Sequence, residues 1–345
     1  MGATIKDIAN KTGLGIATIS KYINGGNVLP ENRVKIDSAI AELDYTPNNF
    51  ARSLKTQRSK MIGIVIPVLN NSFFMQIITR MEYILKKEGY AVIISDCQES
   101  KDQERESIRF LMNKNVDGII SFPVSGSGTY LSPAIEKGIP IVLIDRLVQK
   151  LHGKVDSVSI DNAAISREAI DLLLKNGHRR IAIIAGPKGT YTSDKRLQGY
   201  IDALRQAGIG VDEGLVSRCE YTAEGAYKAF QTLMKKNGDI TALYATNHDM
   251  TLGALMAIKE SKHRIPSDIS FIGFDSMDWA KITVPPLTIV EQPMEQMGTV
   301  AATIMLRRIS GMDKDMPSRD IMMSASLNMG ESVKNLNSAA RRKRG

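Results

Sequence analysis

Five acidic or amide side chains, Asp96, Asp145, Asp161, Asn247 and Asp275, each close a short apolar run in this 345-residue chain. If those runs are parallel strands, their carboxyl ends converge on one crevice, the place where such sheets receive ligands. Arg146 directly follows Asp145, and Arg196 opens the string RLQGY, so guanidinium groups could join the carboxylates there. Together they can grip vicinal hydroxyls through paired hydrogen bonds, while Phe73, Tyr221 or Trp279 stacks on the apolar face of a ring. That chemistry suits a carbohydrate or a similar polyol. The alternative for a lone Asp at a strand end is capping of the following helix, and it applies most to Asp96 and Asp161.

No comparable set supports catalysis. The chain has no GxxxxGK[ST] string, and Gly126-Ser127-Gly128 lacks the third glycine and the acidic partner of a dinucleotide fingerprint. His152, His178, His248 and His263 lie far apart with no nucleophile motif beside them, and His178, ahead of Arg179-Arg180, reads as a turn residue. Cys97 and Cys219 are too few and too separated for a disulfide framework or a zinc site, and read as reduced thiols. The expectation is a protein without catalytic residues, cofactor or metal.

The elements that would position the polar residues are the runs MIGIVIP, YAVIISD, GIISFP, PIVLID, SVSID, RIAIIAG, ALYATN and ISFIGFD. Amphipathic stretches at 73–88, 101–113, 162–176, 195–207, 223–236 and 248–261 separate them. Such alternation predicts parallel sheets covered on both faces by helices. Eight strands suit two doubly wound subdomains better than one sheet, and such a pair encloses a cleft that can close on a ligand. Residues 1–47 instead carry helical signals only. Thr4 and Asp7 are spaced as in a capping box ahead of a face of Ile5, Ile8 and Ala9. Gly13-Leu14-Gly15 interrupts, a second helix runs from Ile16 to Asn24 with Ile19 and Ile23 inward, and Gly25-Gly26 stops it. A third, from Pro30 to about Leu43, presents Val34, Ile36, Ile40 and Leu43. Short helices across a Gly-containing turn make a helix-turn-helix. The following segment 48–60, NNFARSLKTQRSK, offers Phe50 and Leu54 one turn apart, too short a helix to persist without a partner.

The formal charge of +8 is confined to the ends. Residues 1–60 hold nine basic and five acidic side chains, residues 331–345 hold five and one, and the stretch between is neutral. A small basic module is what phosphate binding needs; the terminal ARRKRG reads as part of a basic disordered tail, 331–345. With 43% hydrophobic and 24% charged residues the chain is globular in composition. No apolar run reaches the ~18 residues of a membrane span. MGATIKDIANKTG has no apolar signal region, so a cytoplasmic protein is expected.

In order and spacing, TIKDIANKTG, ATISKYING and ENRVKIDSAIAELDYTPNNFARSLKT resemble the headpiece of the lactose-repressor family. IDR at 144–146, SIDN at 159–162, GHRRIAII at 177–184, RLQGY at 196–200, ATN at 245–247, IGFD at 272–275 and PPLTIVEQP at 285–293 resemble landmarks of its core. The resemblance implies an α/β fold: an all-α helix-turn-helix headpiece (1–47), a hinge (48–60), and a periplasmic-binding-protein-like effector core (61–330). Its two doubly wound subdomains would be 61–160 with 291–320, and 161–290 with 321–330. It implies a transcriptional regulator, a repressor, that binds double-stranded operator DNA as a homodimer. A small-molecule effector, a sugar or sugar phosphate, would control it from the cleft.

By the same resemblance, Ile16, Ala17 and Lys21 read base edges from the major groove, Lys21 standing where the family has Arg. Thr4, Thr18, Ser20, Tyr22 and Asn24 would meet phosphates. Asn48, Ala51, Arg52 and Lys55 would flank Leu54, an apolar wedge between base steps. A plain flexible linker is the alternative for that hinge, as simple packing is for Ile16 and Ala17. Effector contacts would come from Asn71, Phe73, Phe74, Asp145, Arg146, Asp161, Arg196, Tyr221, Asn247, Asp275, Trp279 and Gln292. His248 stands where the family has Asp, with Asp249 one place later. A solute-binding protein or an α/β enzyme is the rival reading; the headpiece argues against the first and the missing motifs against the second. Residues after 330 lack leucine heptads, which favours a dimer over a tetramer.

Overall fold

The computed structural model describes residues 3–23, 25–45, 58–275 and 280–337. Asn24, Asn48, Ala51, Arg52, Leu54, Lys55 and Trp279 lie outside the described residues. Residues 1–59 and 60–345 form two separate units.

In the first unit α1 (Ile5–Thr12), α2 (Ile16–Ile23) and α3 (Pro30–Glu42) follow the expected punctuation. The Thr4 backbone amide donates to the Asp7 carboxylate at 2.7 Å, and Gly13 closes α1 at φ 69°. Ile8, Ile19, Ile36 and Ala39 are buried at the centre. Val34 does not join them and is 69% exposed. The inward face of α3 runs through Ile36, Ala39, Ile40 and Leu43, and a residue two places before Ile36 points about 200° away from it.

The second unit holds two six-stranded sheets of matching order. The first contains β1 (Met61–Ile66), β2 (Ala91–Asp96), β3 (Gly118–Ser121), β4 (Ile141–Ile144), β5 (Asp156–Ile160) and β11 (Asp320–Met323), ordered β11-β5-β4-β3-β1-β2, all parallel. The second contains β6 (Ile181–Ala185), β7 (Val216–Arg218), β8 (Ala242–Ala245), β9 (Ser270–Phe274), β10 (Thr288–Glu291) and β12 (Ser326–Asn328), ordered β12-β10-β9-β8-β6-β7. Only the β10–β12 pair is antiparallel among these. Helices α4 (Ser72–Lys87), α5 (Lys101–Asn113), α6 (Ser132–Glu136), α7 (Asn162–Lys175), α8 (Tyr191–Gln206), α9 (Ala223–Lys236), α10 (His248–Glu260) and α11 (Met294–Ser310) cover the faces. β1, β3, β4, β6, β8 and β9 are buried almost throughout, which is why they read as largely apolar runs; β5 is buried as well, although its Asp156, Ser157 and Ser159 are polar.

The chain crosses between the sheets three times, after β5, after β10 and after β11. The last crossing corrects the expected subdomain boundary. β11, at 320–323, pairs with β5 in the first sheet, and only β12 returns to the second. Helix α11 packs on α4 so closely that a Cβ at Gly298 would lie 2.6 Å from the Ile77 carbonyl oxygen.

Residues 331–337 correct the expectation of a disordered tail from 331 onward. Ser332 is fully buried, and its hydroxyl donates to the Phe271 carbonyl at 2.6 Å and accepts the Thr288 amide at 2.8 Å. The Lys334 carbonyl lies 3.0 Å from Nε2 of His178, whose Nδ1 meets the Thr241 hydroxyl at 3.0 Å. His178 is therefore a buried staple between the second sheet and this segment, and burial lowers its pKa. Among the described residues no helix is long and apolar enough to cross a membrane.

Candidate functional site

β4 and β9 occupy the same place in their respective sheets, and each ends in an aspartate with left-handed backbone: Asp145 at φ 68° and Asp275 at φ 55°. Asp tolerates this conformation better than most residues, and strained geometry of this kind concentrates at functional sites. Both carboxyl groups are buried, and in both Oδ1 has no hydrogen-bond partner. Burial raises the pKa of each, that of Asp275 to about 6, against the pull of Arg196, which acts on both. Gln292, after β10, donates to Oδ2 of Asp275 at 2.6 Å and keeps its own buried Oε1 unpartnered.

The two arginines are held from behind. Glu99 receives both Nη atoms of Arg146, at 3.0 and 2.8 Å, leaving Nε buried without a bond and 3.8 Å from Asp145. Arg196 on α8 donates Nε to Asn162 at 2.7 Å and Nη1 to the Thr246 carbonyl at 2.6 Å, with its guanidinium 3.8 Å from the Phe274 ring centre. Tyr221 lies 5.4 Å below the Arg146 guanidinium and bonds Thr192 through its hydroxyl. A polar cavity of about 280 Å³ adjoins Arg146, lined also by Ser125, Gly126, Thr190 and Asp194. Four buried polar atoms here, Oδ1 of Asp145 and of Asp275, Nε of Arg146 and Oε1 of Gln292, have no partner, and such atoms can bond a hydroxyl-rich ligand, because buried polar groups are ordinarily bonded.

Other expected residues play different parts. Asp161 is exposed and caps α7 through Ala164, and Asn247 caps α10 through Asp249 and Met250. Asp96 accepts the Gln98 amide at 2.8 Å and holds a turn. Phe74 packs edge-on against Phe73 and Phe122 in the core. Asn71 caps α4 and sends its amide across the cleft to Asp249 at 2.9 Å, beside Ser72, which meets Nε2 of His248 at 3.5 Å. Sequence reasoning missed Glu99 and Asn162, and noted Asp249 only as the acidic residue following His248. Asn162 sits in the quoted SIDN string one place past Asp161, whereas nothing in sequence ties Glu99 to Arg146.

In the headpiece, Ile16 (46%), Ala17 and Lys21 are exposed on α2 while Ile19 is buried, so packing does not account for the first two. The Thr4 hydroxyl donates to Asp7 at 2.7 Å and the Tyr22 hydroxyl to Asp37 at 2.5 Å. Thr18 and Ser20 are half-buried beside them.

Residues 4–48 match the family model for bacterial regulatory proteins of the lacI family. Residues 59–329 match that for periplasmic binding proteins and the sugar-binding domain of the same family. The chain is 33% identical over 313 residues to the transcriptional repressor CytR of Escherichia coli K12, covering 90% of each. A solved complex of the transcriptional regulator CelR with cellobiose is 30% identical, with a TM-score of 0.73 over 96% of this chain and 99% of that one. The lac repressor dimer bound to operator and an anti-inducer, 24% identical, shares the fold with a TM-score of 0.86 over 97% of this chain and 100% of that one. The chain belongs to the lacI family of bacterial regulatory proteins and is an effector-controlled, DNA-binding transcriptional regulator.

Proposed function

We propose that a sugar or sugar phosphate bound by Asp145, Arg146, Arg196, Asp275 and Gln292 sets the affinity of the headpiece for its operator. The observation that carries this reading is the pair of buried, unpartnered Oδ1 atoms on Asp145 and Asp275, with Arg196 acting on both. Cellobiose in the CelR complex is a ligand of the same chemistry. Phe73, Tyr221 and Trp279 supply apolar surface, and Asn71, Asp161 and Asn247 shape the mouth as caps. The ligand is bound and released unchanged, and the protein acts where the chromosome lies, in the cytoplasm.

Ile16, Ala17 and Lys21 face base edges in this reading, while Thr4, Thr18, Ser20, Tyr22 and Asn24 fix register on phosphates. Leu54, with Asn48, Ala51, Arg52 and Lys55, enters the minor groove from paired hinges of a homodimer. Exposed apolar residues on the core, among them Leu252 and Met256 four apart on α10, support burial against a second copy. Effector binding stabilises one arrangement of the two subdomains and, through linkage, changes operator affinity by the same factor in both directions.

The test is titration of the full-length protein with cellobiose, ribose and their phosphates. Melting temperature and binding to labelled duplexes from upstream of its own gene are followed together. Asp275→Asn should lose the ligand response, by about tenfold or more in affinity, while ligand-free DNA binding stays at the wild-type level. A normal effector titration in this variant would place the site elsewhere.

A further inference from the structure

Glu104, on α5, is fully buried, and each of its carboxylate oxygens accepts one backbone amide, that of Val124 at 2.8 Å and that of Ser125 at 2.9 Å. Burial raises its pKa, and the charge of Arg146 is among the influences that oppose this. A buried carboxylate costs far more than a neutral side chain in the same place, so packing alone does not account for it. The peptide group joining Pro123 to Val124 supplies the connection. It is planar and trans, so its N–H and its C=O point in opposite directions. Glu104 holds the N–H, and the C=O accepts Nη1 of Arg146 at 3.4 Å. One rigid peptide thus stands between a buried carboxylate and a buried guanidinium, and bonds in such a chain polarise and strengthen one another. Pro123, Val124, Ser125 and Arg146 all line the polar cavity. Glu99 grips the same guanidinium directly, from a turn in which Gln98 and Glu99 both have left-handed backbone, at φ 49° and 52°. Strain of that kind persists only where the surrounding structure fixes it.

We infer that Glu104 is a positioning residue for the effector site: it locks the 123–124 peptide so that the Pro123 carbonyl, together with Glu99, holds the Arg146 guanidinium in place and leaves its Nε to the ligand. The inference rests on the cleft reading above and adds a residue that touches no ligand itself. Without the Glu104 acceptor the peptide is free to rotate, which takes its carbonyl away from Arg146 and loosens the cavity wall at Ser125. Arg196 depends on neither group, since Asn162 and the Thr246 carbonyl hold it from the other subdomain.

The test uses the full-length protein labelled with ¹⁵N-arginine, the Nε–H resonances of Arg146 and Arg196 being assigned by their loss in Arg146→Lys and Arg196→Lys. Glu104→Gln, which keeps one acceptor, and Glu104→Met, which keeps none, should speed solvent exchange of the Arg146 Nε–H by about tenfold, the effect of one lost hydrogen bond, and leave that of Arg196 unmoved. Unchanged exchange at Arg146 overturns the proposal. Equal acceleration at both arginines overturns it too, since general loosening of the fold would act on both. Calorimetric titration with ribose, ribose 5-phosphate and cellobiose follows. For a probe that binds the wild type, Glu104→Gln should weaken binding about tenfold, yet cost almost nothing in an Arg146→Lys background, where no fork remains to be held. The same cost in both backgrounds refutes action through Arg146. A probe bound by Arg146→Lys as tightly as by the wild type would instead sink the cleft reading, and if no probe binds, the exchange comparison alone decides the role of Glu104.

Discussion

Asp275 and Asp313 are both buried aspartates, and their surroundings drive them in opposite directions. Arg307 and Arg319 hold the Asp313 carboxylate at 2.7–2.8 Å and lower its pKa to about 2. The unfolded chain regains the ordinary value of 3.8, so Asp313 contributes stability above about pH 4 that is lost as pH falls toward 2. Asp313→Asn should therefore flatten acid denaturation in that window, read by circular dichroism. Asp275 works the other way, since burial lifts it to about 6 and the folded protein keeps a proton that the unfolded chain has released between pH 3.8 and 6. Its charged form costs folding stability as pH rises through that window, up to about 3 kcal/mol. Asp275→Asn should melt higher than wild type at pH 7 while binding effector worse, the usual cost of a functional group held ready. Wild-type effector affinity should fall below pH 6 and the variant's should not; parallel profiles would refute the role given to this carboxylate. Asp275 was legible because an acidic residue ended a clear strand. Asp161 and Asn247 gave the same signal and are helix caps, a distinction made by the path of the chain after the strand.

Helix α2 separates its two tasks by face. Ile19 fills the centre of the headpiece and Ile16 stands out from it. Ile19→Ala should cost about 2–4 kcal/mol, enough to unfold a module this small. Ile16→Ala should leave its amides as protected as before and still weaken operator binding. Hydrogen exchange of the intact protein combined with DNA titration distinguishes them, and loss of headpiece protection in Ile16→Ala would return that residue to the core. The periodicity that revealed these helices failed for Val34, which is apolar and off the inward face. It failed also for β7, β11 and β12, whose three or four residues are only partly buried and carry no continuous apolar run. Helix α11 went unread because its buried face mixes bulky residues with Gly298, Ala301 and Ala302, and small side chains that permit close approach look featureless in sequence.

At the scale of the whole molecule, both subdomains are assembled from distant stretches of chain, and the segment 331–337 closes the second. Truncation after Met329 should lower the melting temperature by about 5–10 °C, since it strips hydrogen bonds from Thr288, Phe271 and His178 together. Melting at the wild-type temperature would make that segment an ornament. Charge counting alone had merged it with the basic residues beyond it, because hydrogen bonding to a neighbouring strand leaves no mark on composition. The late arrival of β11 has a temporal consequence as well. While the protein is being made, the first sheet lacks its edge strand until residues 320–323 leave the ribosome, by which time β6 to β10 are already outside. A nascent chain stalled before that point should carry an unpaired β5 edge and invite chaperones, so neither half can mature ahead of the other.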